Sequence, residues 1–130
     1  MKIFILDDDE ISNELSRLIL NMSGVENVEY RRSGKEAIKH LDECMKFDDF
    51  PDLIFVDLNL PGMNGFEFIE FYEAHYRNYF PETGLILLTN SVMEDDKFNA
   101  KNYESVIDFW SKPLTSNNLE EIIERYKIRF

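Results

Sequence analysis

Four groups of residues carry side chains that together suit phosphoryl chemistry. Asp7, Asp8 and Asp9 run consecutively near the start of the chain, and Asp57 stands alone after the apolar run Leu53-Ile54-Phe55-Val56. Thr89-Asn90-Ser91 supplies hydroxyls and an amide, and Ser111-Lys112-Pro113 supplies a cation. Carboxylates packed together repel one another unless something cationic offsets them. A hard divalent ion with oxygen ligands does this well, and Mg²⁺ takes few protein carboxylates while keeping several waters. Lys112 adds fixed positive charge and Thr89 a hydroxyl donor. A transferring phosphoryl group needs the same set, because its oxygens carry dispersed negative charge. A carboxylate held in line with a donor phosphate can act as nucleophile and become an acyl phosphate. Asp57 is the best candidate, being alone at the end of its strand and between the other groups.

Taken singly, each group has an ordinary structural role. An acidic run such as Asp7–Glu10 at a helix start caps the helix and complements its dipole. A lone aspartate after a strand is commonly a turn residue, a threonine there is structural, and a lysine before proline is solvated. The chemical reading therefore depends on the elements that place the four groups.

Those elements alternate. Lys2–Leu6 is a short aliphatic run, followed by Ile11, Leu15, Leu18, Ile19 and Met22 at helical intervals, with Gly24 as a stop. Val25–Arg31 reads as a weak second strand. Ser33 and Glu36 form a capping-box pattern ahead of a second helix whose apolar face is Ala37, Ile38, Leu41 and Met45. Asp52–Asp57 is the clearest strand, apolar on both faces as a central parallel strand should be. Asn64 caps a third helix carrying Phe66, Ile69, Tyr72 and Tyr76. Gly84–Thr89 is a fourth strand. A fourth helix with a poor apolar face runs from Met93 to about Asn102. Val106–Trp110 is the fifth strand. Thr115 or Ser116 opens a last helix, presenting Leu119, Ile122, Ile123 and Tyr126 and running to about Lys127.

Five strands alternating with five helices predict an α/β fold, a doubly wound parallel sheet with helices on both faces. In such sheets ligands bind outside the carboxyl ends of the strands. All four chemical groups fall at those ends, in a consistent order. The ordinary structural roles do not account for that conjunction. Strand two offers only Arg31 and Arg32, off to one side.

The 130 residues suit a single domain, 1–130, with no room for an output domain. Basic residues number 14 and acidic residues 26, a net charge of −12. Such a surface repels phosphate backbones and anionic lipids, which argues against nucleic-acid and membrane binding. The single cysteine, Cys44, allows no internal disulfide and reads as a packed small side chain. The start, MKIFILDDDE, is too short in apolar residues for a signal peptide or a span, so a cytoplasmic location is the expectation.

With these residues in view, the chain resembles the receiver domains of two-component response regulators, the CheY-like family. The motifs are Ile5-Leu6-Asp7-Asp8-Asp9, the run Val56-Asp57-Leu58-Asn59-Leu60-Pro61-Gly62-Met63-Asn64-Gly65, then Leu88-Thr89-Asn90-Ser91 and Ser111-Lys112-Pro113-Leu114. The resemblance covers essentially the whole chain. It implies a flavodoxin-like strand order, 2-1-3-4-5. It also implies that Asp57 accepts phosphate from a phosphohistidine on a sensor histidine kinase or a histidine phosphotransfer protein. Asp8 and Asp57 would bind Mg²⁺ through their side chains, Asn59 through its backbone carbonyl, and Asp7 through a water. Lys112 would pair with the phosphoryl group and Thr89 would hydrogen-bond it. Phe109 falls where the family carries its switch aromatic. A downstream protein would bind the fourth helix, fifth strand and fifth helix, with the chain a monomer or weak dimer.

Some residues depart from the family pattern. Asn90 stands where a small residue is usual, and its bulk narrows access to Asp57. Asn59, Asn90 and Ser91 occupy positions that tune the rate of phosphate loss. Lys101–Ser105 lacks the small-residue turn common before the fifth strand. Two other function classes compete. One is a degenerate receiver serving as a phosphorylation-independent interaction module; the intact acidic pair, Thr89 and Lys112 argue against it. The other is an aspartyl-phosphate hydrolase, which would need an acid where Asn59 stands. The expectation is a signalling protein that catalyses only its own phosphotransfer and dephosphorylation.

Overall fold

The computed structural model describes residues 1–90 and 93–126. The elements alternate in chain order: β1 (Lys2–Leu6), α1 (Glu10–Met22), β2 (Asn27–Arg31), α2 (Gly34–Lys46), β3 (Leu53–Val56), α3 (Gly65–His75), β4 (Gly84–Thr89), α4 (Glu94–Ala100), β5 (Val106–Ser111) and α5 (Ser116–Tyr126). The strands form one parallel sheet in the order β2-β1-β3-β4-β5. Among the described residues no helix is long and apolar enough to cross a membrane.

Alternation along each strand sorts the core into two layers. Phe4, Leu6, Ile54, Val56, Leu85 and Leu87 meet Ala37 and Leu41 of α2, Phe68, Ile69 and Tyr72 of α3, and Ala100 of α4. Ile3, Ile5, Leu53, Phe55, Ile86 and Leu88 meet Leu20 of α1 and Leu119 and Ile122 of α5. Helices on both faces bury all of β3 and β4, which is why these two read as unbroken apolar runs. Cys44 is buried on α2, as a packed side chain.

Most expected boundaries hold within a few residues, and Asn64 caps α3 in a full capping box with Glu67. The box at Ser33 is only half formed. Ser33 Oγ accepts from the Glu36 amide, while its own hydroxyl, in place of the backbone N–H, donates to Glu36 Oε1. The fourth helix is shorter than expected, Glu94–Ala100, with no side-chain cap and only Ala100 buried.

The apolar residues at helical intervals in α1 form a helix, but most of them do not face the core. Ile11, Leu15, Leu18 and Met22 are 73%, 53%, 54% and 78% exposed, and only Ile19 of that set packs partly on the core. The face turned to the sheet instead carries Asn13, Ser16 and Leu20. Both stripes have helical spacing. The Asn13 side chain is tied to the backbone at the end of β1.

One irregularity resets the sheet's alternation. Leu85 pairs with Val106, but Ile86 pairs with Asp108, so Ile107 is an extra residue in a β-bulge. Beyond it the register is regular, Leu87 with Phe109, Leu88 with Trp110 and Thr89 with Ser111. Val106 and Phe109 therefore both pack on the α4 side, while Ile107 and Trp110 pack on the other. Gly84 makes room for the bulge, since a Cβ there would lie 2.5 Å from Ile107 Cδ1.

Candidate functional site

All the strands are parallel, so their carboxyl ends share one edge of the sheet, where Asp7, Asp57, Thr89 and Lys112 meet. The three consecutive aspartates do three different jobs. Asp9 is the N-cap of α1, accepting from the amides of Ile11 and Ser12. Asp8 is half-buried, and its backbone carbonyl accepts from Arg32 Nε at 3.0 Å. Asp7 is buried and tied at four points. Its amide donates to the Arg31 carbonyl at 3.2 Å, and its carbonyl accepts from Asn13 Nδ2 at 2.8 Å. Its Oδ1 accepts from the Asp9 amide at 3.0 Å, and its Oδ2 lies 2.5 Å from Lys112 Nζ.

Asp57 is also buried and held at both oxygens. Oδ1 accepts from the Asn59 amide at 3.0 Å, and Oδ2 accepts from Lys112 Nζ at 2.9 Å. The chain after it bends sharply into α3, because the Gly65 amide donates back to the Leu58 carbonyl at 3.0 Å. A Cβ on Gly65 would lie 2.6 Å from both the Asp57 carbonyl oxygen and Leu58 Cα. Both are backbone atoms and have little room to yield. Gly65→Ala is expected to cost about 1 to 3 kcal/mol, the usual range for overpacking. Urea titration checks this, and a wild-type midpoint would show that the backbone contact is dispensable.

Lys112 bridges Asp7 and Asp57 with its side chain 8% exposed. Burial alone pushes the ammonium toward losing its proton, but the hydrogen bonds and charges of Asp7 and Asp57 outweigh that and raise its pKa above the ordinary lysine value. The cation is therefore fixed at neutral pH. Its backbone amide donates to the Thr89 carbonyl at 3.0 Å, and the Lys112–Pro113 peptide is cis. Thr89 is fully buried, and Asn59 Nδ2 lies 3.4 Å from its Oγ1.

The site suits a hard divalent cation. Asp7, Asp8 and Asp57 each offer an oxygen, and these atoms all lie within 4.8 Å of one another. One ammonium against three carboxylates leaves excess negative charge, and all the donors are hard oxygens, the set Mg²⁺ prefers.

The other expected residues fall around this centre. Phe109 is half-buried and packs on the α4-side core, facing a groove that Lys97, Ala100, Lys101 and Asp108 also line. Asn90 is exposed and lines a second groove with Ile11, Leu15, Lys112 and Pro113. Ser91 lies outside the described residues. Arg31 and Arg32 serve the site's backbone: the Arg31 carbonyl accepts from the Asp7 amide, and Arg32 Nε donates to the Asp8 carbonyl. The sequence reading missed Asn13 and Gly65. The only signal for Gly65 was its place just after Asn64 in the turn, and Asn13 is a polar residue outside the apolar set of α1.

Comparison with known proteins agrees with this fold. A family model described as response regulator receiver domain matches residues 3–124. The crystal structure of a two component response regulator from Cytophaga hutchinsonii is similar at TM-score 0.90 and 31% identity, covering 95% of this chain and 94% of that one. The chemotaxis protein CheY4 of Vibrio cholerae, at TM-score 0.76 and 26% identity, covers 95% and 96%. Among curated relatives, the hybrid signal transduction histidine kinase L of Dictyostelium discoideum is 27% identical over 96% of this chain but 7% of its own length. The transcriptional regulatory protein BtsR of Salmonella typhi is 24% identical over 98% of this chain and 48% of its own. The chain thus spans less than half the length of these curated relatives.

Proposed function

The chain belongs to the response regulator receiver family of two-component signalling, and from that premise we propose that Asp57 is its phosphoryl acceptor. The observation that carries this reading is the clamp on Asp57. Asn59 N–H on one oxygen and Lys112 on the other fix the carboxylate plane at the open end of the sheet, beside two further carboxylates. The phosphoryl donor is a phosphohistidine of a sensor kinase or phosphotransfer protein. An Asp57 oxygen attacks phosphorus, the new O–P bond forms as the P–N bond breaks, and the bond pair stays on the ring, which leaves as neutral imidazole because its other nitrogen already carries a proton.

Asp7, Asp8 and Asp57, with the Asn59 carbonyl, would hold Mg²⁺, which when bound supplies charge neutralisation for the phosphoryl oxygens. Lys112 exchanges one carboxylate partner for a phosphoryl oxygen. The Thr89 hydroxyl turns toward the phosphoryl group and gives up its contact with Asn59. Phe109, directly below on the same face, then repacks toward the space Thr89 leaves. The α4-side groove at Phe109 changes shape, so a downstream protein reads the α4–β5–α5 face. Signal leaves by partner binding or by onward phosphoryl transfer. Incubation with Mg²⁺ and acetyl phosphate should add one phosphoryl group per chain by intact mass; no uptake would refute the reading.

The exposed α1 stripe fits the donor's side of the same reaction. Ile11 and Leu15 line a groove that leads to Lys112 and Pro113 at the site. A helical phosphodonor resting on these side chains brings its histidine toward Asp57. Leu15→Glu is expected to slow transfer from the cognate phosphohistidine protein at least tenfold while leaving acetyl phosphate uptake unchanged. Equal slowing with both donors would place the defect in the site itself.

A further inference from the structure

Asn13 is a buried amide with no part in the chemistry so far described. Its side chain is 0% exposed, on the face of α1 turned to the sheet. Nδ2 donates to the Asp7 carbonyl at 2.8 Å, and Oδ1 is buried without a hydrogen-bond partner. The amide cannot be turned the other way, since that would set Oδ1 against the Asp7 carbonyl, acceptor against acceptor. A buried amide with one end unpaired is costly, and an aliphatic side chain would fill this position of an amphipathic helix without that cost.

We propose that Asn13 is a positioning residue for the acidic pocket, holding the Asp7-Asp8-Asp9 turn in the geometry that receives a divalent cation. The reasoning follows the backbone. Asp7 leaves β1 with its amide on the Arg31 carbonyl, so β2 fixes its N-terminal side. Its carbonyl points away from the sheet into α1, and Asn13 is the donor that meets it. The peptide so fixed is the one joining Asp7 to Asp8. Its orientation sets the direction in which the Asp8 side chain leaves the backbone. The same peptide precedes the Asp9 amide that holds Asp7 Oδ1. Asn13 thus acts one bond behind both acids that stand with Asp57, as outer partners of metal ligands do.

This inference rests on the Mg²⁺ reading of Asp7, Asp8 and Asp57, and its test separates the two. Asn13→Leu keeps the branching at Cγ and removes the donor; Asn13→Ala guards against misfolding from the larger leucine side chain. Mg²⁺ affinity is measured by calorimetry, and amide exchange by NMR on the metal-free proteins. Affinity should fall about tenfold, the lower end for loss of an outer partner of a metal ligand. Exchange should accelerate at the Asp9 amide while the amides of β3 and β4 stay protected. A merely structural role would instead speed exchange throughout the sheet, and that pattern, or wild-type exchange at Asp9, would overturn the proposal. If the wild-type protein binds no Mg²⁺, the reading of the acid cluster falls, and the exchange at Asp9 alone decides whether Asn13 positions the turn.

Discussion

Asp57→Asn will take up no phosphoryl group from acetyl phosphate and Mg²⁺ under conditions where the wild-type chain takes up one. The substitution is close to isosteric, so the fold should survive it. The remaining amide oxygen can still accept from the Asn59 amide, as Asp57 Oδ1 does at 3.0 Å. What is lost is the second anionic oxygen. In its place an amide nitrogen would face Lys112 Nζ, donor toward donor, where Oδ2 now accepts at 2.9 Å. A neutral amide is no nucleophile toward phosphorus. Intact mass with and without acid treatment reads the outcome. Stoichiometric, acid-stable phosphate on Asp57→Asn would put the acceptor on a different side chain.

The second large effect is at Lys112. Its ammonium pairs with both Asp7 and Asp57, and all three side chains are less than a tenth exposed. Lys112→Met keeps the length of the side chain and removes the charge. Breaking a buried ion pair from one side costs about 3 to 5 kcal/mol, because the stranded charge keeps its desolvation penalty. Here two carboxylates are stranded at once. Urea midpoints at neutral pH should fall accordingly in the absence of metal, and millimolar Mg²⁺ should recover part of the loss.

The pH dependence has a definite sign. A lysine whose folded pKa lies above its ordinary value of 10.5 stabilises the fold fully below that value. The contribution is lost as pH rises through the elevated folded value. The wild-type chain should therefore lose stability on the alkaline side more steeply than Lys112→Met. Parallel alkaline profiles, or equal midpoints at neutral pH, would show that Lys112 carries no net stabilisation.

The sheet and the reacting groups were legible because their signals are local. Ile54, Phe55 and Val56 are apolar on both faces, which marks a covered central strand, and Asp57 follows at once. The positions of Thr89 and Lys112 come from the same rule, applied to β4 and β5. The orientation of α1 was not legible, because a helical period names a stripe without saying which way it turns. Ile11, Leu15, Leu18 and Met22 form one such stripe, Asn13, Ser16 and Leu20 another, and hydrophobicity alone favours the wrong one. The stripe turned inward is the one that ties Asn13 to the Asp7 carbonyl, a bond between residues six apart that no helical period announces. Gly65 was opaque for a related reason. Its neighbours across the turn, Asp57 and Leu58, come within 2.6 Å of a would-be Cβ only once the chain is folded.

The bulge at Ile107 has a consequence for how this chain tolerates changes of length. It divides β5 into two separately indexed pieces, Val106 before it and Asp108–Ser111 after it. The downstream piece takes its register from β4 through Leu87, Leu88 and Thr89, and it carries Phe109 and delivers Lys112. A residue gained or lost ahead of the bulge can be absorbed there, as a slack link absorbs a change in a chain, without exchanging Phe109 for Trp110 on the α4 side. Beyond the bulge no such slack exists. A deletion between Asp108 and Ser111 would move Lys112 off the two carboxylates and turn the other aromatic inward. The three-residue interval from Phe109 to Lys112 is thus held to a fixed length by its pairing with β4.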